Sequence, residues 1–199
     1  MHAVKLVILG RDGVLNTYRD DHVKAPEEWL PLPGALEAVA RLNHAGWHTV
    51  VATNQAGIGR GMIDMASVNA VHAHMNRQLM ALGGRIDAVF FCPHTPEEGC
   101  DCRKPLPGMV LDIGRRYGAD LADVPMVGDT LRDLQAAAAG GSPPHLVLTG
   151  RAAALDDAAL AQTLAQVPSA RVHQDLPAFV DWLLKKDHVP DSAAGALNE

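Results

Sequence analysis

Lys5-Leu6-Val7-Ile8-Leu9-Gly10-Arg11-Asp12-Gly13-Val14-Leu15-Asn16 is the stretch that decides the fold. Its first five residues form a short apolar run, the mark of a buried strand. Small and polar residues follow at once, ending the strand and leaving reactive groups at its carboxyl end. The same sequence grammar recurs downstream. Trp47–Thr53 reads as a second strand and leads into Thr53-Asn54-Gln55-Ala56-Gly57-Ile58-Gly59-Arg60-Gly61. Asp87–Phe91 is a third, followed by a loop that ends in Cys102-Arg103-Lys104-Pro105. Pro125–Val127 is a fourth, followed by Gly128-Asp129-Thr130-Leu131-Arg132-Asp133, and Leu146–Thr149 is a fifth.

Helical spacing fills the intervals. Leu36, Val39 and Leu42 recur within Gly34–Ala45, and Val68, Val71, Met75, Leu79 and Leu82 share a face of Met65–Leu82. Gly108–Tyr117 follows Pro107, Leu131–Ala139 stops at Gly140-Gly141, and Leu176–Lys186 is amphipathic. Strands alternating with helices predict an α/β fold, a Rossmann-like three-layer sandwich around a mainly parallel sheet. One domain is expected over 1–187, with a polar tail, 188–199, that frays. Two irregular loops, Asn16–Pro33 and Cys92–Pro105, fall where strands end, the usual place for function.

Composition narrows the partners. The formal net charge of −6 argues against a general nucleic-acid or anionic-membrane binder. No apolar run approaches the roughly 18 residues of a membrane span, and Met1–Lys5 lacks the features of a signal peptide, so a cytoplasmic location is expected. The three cysteines all lie between Cys92 and Cys102, which reads as metal ligation rather than a disulfide framework. Cys92, His94, Cys100 and Cys102 supply three thiolates and an imidazole, the donor set of a closed structural zinc site.

The strand-end residues suit a phosphate ester. Thr53 and Asn54 can donate hydrogen bonds to phosphoryl oxygens, and Lys104 can neutralise charge. Asp129 can hold a magnesium ion, and Asp12 can act as general acid and base.

Together the four motifs resemble the haloacid-dehalogenase superfamily of aspartate-nucleophile phosphatases, over Lys5 to about Leu184. RDGVLN, TNQAGIGRG, CPH…CDCRKP and GDTLRDLQAA are similar, more narrowly, to the D-glycero-D-manno-heptose 1,7-bisphosphate 7-phosphatases and the related histidinol-phosphate phosphatases. The resemblance implies little or no cap domain, a magnesium requirement with Asp12 and Asp129 as ligands, and a structural zinc. It implies a monomer acting on a phosphosugar, with Asn54, Gln55, Ala56, Arg103 and the loop Arg19, Asp20, Asp21, His22 as substrate contacts. It also exposes a departure. The family pattern opens on an aspartate nucleophile, where this chain has Gly10. Glycine cannot attack phosphorus, so an impaired phosphatase or a non-catalytic phosphosugar-binding protein is expected.

Overall fold

The computed structural model describes residues 4–187. Its strands are β1 (Leu6–Leu9), β2 (His48–Asn54), β3 (Ala88–Cys92), β4 (Met126–Gly128), β5 (Pro144–Val147) and β6 (Arg171–His173). They form one sheet in the order β3-β2-β1-β4-β5-β6, and every neighbouring pair is parallel. The chain builds outward from β1 to β3 and then crosses to β4 on the other side of β1. That reversal opens a crevice at the carboxyl ends of β1 and β4, where ligands bind in open α/β sheets. Leu9 lies level with Val51 and Val127, so the residues after β1, β2 and β4 share one rim.

The helices are α1 (Ala35–His44), α2 (Ala56–Gly59), α3 (Met65–Ala81), α4 (Gly108–Tyr117), α5 (Leu131–Gly140), α6 (Asp157–Gln166) and α7 (Leu176–Asp187). They cover the two faces of the sheet, as the period of two along β1 requires. Val7 and Leu9 pack with Leu36, Val39, Val71, Met75 and Phe179 of α1, α3 and α7. Leu6 and Ile8 pack with Val110, Ile113, Ala136 and Ala137 of α4 and α5 on the other face. Leu134, Leu146 and Val167 extend this second layer toward α6. The four β1 side chains have no exposed surface, so truncating one to alanine should cost about 2–5 kcal/mol.

The three-layer sandwich and its parallel sheet are as the sequence predicts. The fifth strand sits two residues earlier than expected, at Pro144–Val147, with proline tolerated as its first residue. A sixth strand and α6 were not anticipated. Arg171–His173 is short and half polar, and α6 buries none of its residues, so neither leaves a strong hydrophobic pattern. Two irregular excursions from the sandwich, the segment after β1 and the cysteine loop after β3, reach the rim. The expected tail, 188–199, lies outside the described residues. Among those residues no helix is long and apolar enough to cross a membrane.

Candidate active site

A cleft of about 300 Å³ opens on the rim, lined by Asp12, Thr53, Asn54, Ala56, Lys104 and Asp129. The structure thus brings together residues from after β1, β2 and β4 with the end of the cysteine loop. Arg19, Asp20, His22 and Arg103 also reach the cleft, while Gly10, Gln55 and Asp21 do not line it.

Asp12 is held from three sides. Arg11 Nη2 donates to both of its oxygens at 3.0 and 3.1 Å, Asn16 Nδ2 to Oδ1 at 2.9 Å, and Gln55 Nε2 to Oδ2 at 3.1 Å. Burial alone would raise the Asp12 pKa, but the Arg11 charge and these donors outweigh it and hold the carboxyl below the usual range. Asp12 is therefore ionised in the free cleft, the form that can accept a proton. Arg11 is itself buried, and its Nη1 lies 3.1 Å from His72 Nε2 on α3. His72 is half-buried and backs this arginine.

Gln55 and Asn54 both hydrogen-bond within the protein. The buried Gln55 amide donates to Asp12 and, at 3.0 Å, to Thr53 Oγ1, so it positions those groups rather than contacting substrate. Asn54 donates to the Lys104 carbonyl at 3.0 Å and accepts from the Lys104 N–H at 3.1 Å. Its amide ties the end of β2 to the cysteine loop and leaves the second Nδ2 N–H for the cleft that Asn54 lines.

Lys104 is buried, with Nζ 2.5 Å from Asp133 Oδ1 and 2.8 Å from the Ala52 carbonyl. Asp133 also closes the capping box that starts α5 with Thr130. Burial would raise the Asp133 pKa, and the Lys104 charge and hydrogen bond bring it down instead. The neighbouring Asp129 moves the other way: burial, and then Asp133, push it up to about 7.

Asp129 has the surroundings of a cation ligand. Its Oδ2 accepts the Arg151 N–H at 2.8 Å. A Cβ on Gly13 would lie 2.1 Å from that oxygen, and one on Gly150 2.3 Å from it. Both glycines also have positive φ, so any side chain there would be strained as well as obstructed. The two clear a cradle around a carboxylate that burial disfavours as an anion. An oxygen donor of this kind fits magnesium, which takes one or two carboxylates with water and phosphate. Asp12 lines the same cleft, its two oxygens accepting from Arg11, Asn16 and Gln55.

Cys92, His94, Cys100 and Cys102 converge at the base of the loop after β3, their ligand atoms all within 4.8 Å of one another. Cys92 Sγ lies 3.6 Å from Cys100 Sγ and 3.5 Å from His94 Nδ1, and Cys102 Sγ lies 3.4 Å from the same nitrogen. Sulfurs bound tetrahedrally to zinc at about 2.3 Å stand about 3.8 Å apart, so the cluster has the size of a zinc site. The Cys92–Cys100 separation is too long for a disulfide bond. Burial, with Cys92 and Cys100 alongside, pushes the Cys102 thiol up to about 12, the penalty that a bound cation relieves. Arg103 Nη1 donates to the His94 carbonyl at 3.2 Å, so the cluster positions this arginine directly.

Comparison with known proteins agrees with this geometry. A HAD-hydrolase-like family model matches residues 101–178. The D-glycero-beta-D-manno-heptose-1,7-bisphosphate 7-phosphatase of Bordetella bronchiseptica is 53% identical over 186 residues, covering 92% of this chain and 99% of the relative. The protein of the same name from Pseudomonas aeruginosa is 49% identical, over 73% of this chain and 82% of its own. This chain belongs to the heptose 1,7-bisphosphate 7-phosphatase family. The crystal structure of the B. bronchiseptica enzyme, complexed with magnesium and phosphate, superposes with a TM-score of 0.85 over 92% of this chain and 99% of that one. The heptose 1,7-bisphosphate phosphatase of Burkholderia thailandensis, 48% identical, gives 0.67 over 90% and 98%.

Position 10, where the motif resemblance expects the nucleophile, is glycine. Gly10 is buried at the end of β1, its N–H donating to the Val127 carbonyl at 2.8 Å. It is not among the glycines with positive φ, so the backbone there does not demand glycine. A Cβ would meet a Val14 methyl at 2.9 Å, so that buried side chain would have to shift.

The segment after β1 holds its charges close. Arg19 pairs with Asp21 at 3.1 Å and Glu28 at 3.8 Å, and Lys24 pairs with Asp21 at 2.7 Å. Asp21 points into this exposed network, which removes it from the expected substrate contacts. His22 is the one non-glycine residue with positive φ among those described, a strained backbone in the wall of the cleft. Sequence reasoning assigned no role to Arg11, Asn16, Asp133, Tyr18 or Arg151. Asn16 and Asp133 stood inside quoted motifs, four residues after Asp12 and Asp129, and that shared interval was the available signal.

Proposed function

We propose that this chain binds D-glycero-D-manno-heptose 1,7-bisphosphate with its 7-phosphate in the rim cleft, and that glycine at position 10 leaves it without the covalent route of its family. The carrying observation is the pairing of an intact polar cleft with a glycine that the backbone does not require. Thr53 and Lys104 face the phosphate, Asp129 would hold magnesium, and Ala56 and Arg103 flank the sugar. Magnesium supplies charge neutralisation on the phosphoryl oxygens when bound. With aspartate at position 10, the family mechanism forms a carboxylate–phosphorus bond there and breaks the bond to the leaving oxygen, which takes its proton from Asp12. Here no carboxylate is available to attack. Asp12, ionised by Arg11, Asn16 and Gln55, can only take a proton from water, a slower direct hydrolysis. The ion of the cysteine cluster would be zinc, closed by four protein ligands and structural in role.

The relatives' shared name supports heptose bisphosphate over histidinol phosphate, the other substrate the motifs resemble. A panel of phosphate esters tests the reading. Calorimetry should show tight binding of the heptose bisphosphate with magnesium, and phosphate release far below the roughly 10 per second of an ordinary enzyme. Preferential binding of histidinol phosphate would overturn the substrate. Release at an ordinary rate would overturn the impaired reading.

A further inference from the structure

The cations around the cleft divide by their partners. Lys104 is neutralised by Asp133, and Arg19 by Asp21 and Glu28. Arg151 has no carboxylate within ion-pair distance among the described residues, yet it is not loose. Its guanidinium carbon lies 4.2 Å from the centre of the Tyr18 ring, and Nη2 donates to the Tyr18 hydroxyl. That hydroxyl donates in turn to Asp20 Oδ1 at 2.9 Å. The Arg151 backbone N–H meanwhile donates to Asp129 Oδ2. One residue is thus fastened to the magnesium carboxylate by its backbone and to the loop after β1 by its side chain. Stacking uses the face of the guanidinium and leaves edge N–H groups for a planar, two-pronged contact with an anion.

Position in the sheet adds the second half. Arg103 and Lys104 enter the cleft from the loop after β3, whereas Arg151 follows β5, beyond β4 on the opposite side of β1. Between Asp129 and the Tyr18 loop, Arg151 is the cleft-lining cation fastened to both, and it has no carboxylate partner among the described residues. We propose that Arg151, held on the Tyr18 ring, selects substrate by pairing with the phosphate that the reaction leaves on the sugar. The proposal rests on the phosphosugar reading above.

Calorimetry with magnesium on the unmodified chain, Arg151→Met, Arg151→Lys and Tyr18→Phe tests it, using heptose 1,7-bisphosphate, heptose 7-phosphate and inorganic phosphate as ligands. Each variant keeps the N–H that Asp129 accepts. The preference for bisphosphate over 7-phosphate should fall about 10- to 100-fold in Arg151→Met. Arg151→Lys, which keeps the charge without the fork, should restore part of it. Tyr18→Phe keeps the ring and should lose less than Arg151→Met. A bisphosphate preference that survives Arg151→Met overturns the proposal alone, as does an equal loss in Tyr18→Phe. An unmodified chain that binds inorganic phosphate and neither sugar overturns the phosphosugar reading, and the proposal with it.

Discussion

The corner after β1 and the loop after β3 meet at one cleft, and they differ in what they retain. The loop keeps a complete donor set: three sulfurs and an imidazole nitrogen at metal spacing, with Arg103 fastened to the His94 carbonyl. The corner keeps Asp12 and the groups that fix it, with Gly10 at the position where the motif resemblance expects the nucleophile. On the proposed reading, binding and covalent catalysis are separable on this scaffold. The donors that shape a phosphate pocket come from four strand ends, whereas the attacking atom belongs to one residue.

Restoring that one residue should give the largest effect. Gly10→Asp is expected to raise phosphate release from heptose 1,7-bisphosphate by about 10⁴-fold or more, the scale on which enzymes depend on a nucleophile. The φ at position 10 accepts a side chain, and a Cβ there requires a Val14 methyl to shift. A folded, magnesium-binding Gly10→Asp protein that releases no phosphate would show that the corner has lost more than its nucleophile.

Lys104 links the two regions, since the loop carries it and its charge is balanced by Asp133 after β4. Lys104→Ala strands a buried carboxylate, and urea unfolding should register a loss of about 3–5 kcal/mol. Lys104→Met combined with Asp133→Asn should lose less than the sum of the single changes. Additive losses would mean that the pair is not an energetic unit.

Next comes the loop alone. Purified protein should carry one zinc per chain, and Cys100→Ser should lower that content. The same change should weaken phosphate binding by about 10-fold, through loosened Arg103 and Lys104. Unaltered phosphate affinity after zinc loss would uncouple the loop from the cleft and undo the comparison drawn between them.

The smallest effect belongs to neither region and serves as a control. His145 is buried on β5, with Nδ1 2.9 Å from His173 Nε2 and its ring against Phe179 and Trp182. Burial, then the charges of His173, Arg171 and Lys186, push its pKa down to about 3, against 6.5 unperturbed. Between those values the unfolded chain takes up a proton that the folded chain refuses. This contribution to stability is therefore full above pH 6.5 and is lost as the pH falls toward 3. His145→Leu should flatten the fall in melting temperature between pH 7 and 5 without altering zinc content. An unchanged slope would place the acid sensitivity elsewhere.

Sequence legibility followed how local each cause is. Leu6–Leu9 is a continuous apolar run, Val50–Ala52 is the apolar centre of β2, and α1, α3 and α4 carry helical spacing, so they were visible. The Cys92–Cys102 cluster was visible because its donors are close in sequence. The Arg11–Asp12–His72 arrangement was not, because arginine is almost never buried unpaired and its partner on α3 lies 61 residues away. Asn54 and Gln55 look like substrate donors in a linear motif. Only the fold reveals that their amides bond to Lys104 and Asp12, across separations of 50 and 43 residues. The charge balance of Lys104 by Asp133, across 29 residues, was hidden for the same reason.

The central claim is that this chain binds its phosphosugar without the covalent chemistry of its family. The most direct measurement puts both halves in one sample: the unmodified chain, magnesium and heptose 1,7-bisphosphate, with binding followed by calorimetry and phosphate release followed over time. The account predicts saturable binding of about one sugar per chain, phosphate release far slower than about 10 per second, and no phosphorylated protein on mass spectrometry. Rapid release at that ordinary rate, or a phosphorylated carboxylate trapped during turnover, would contradict it.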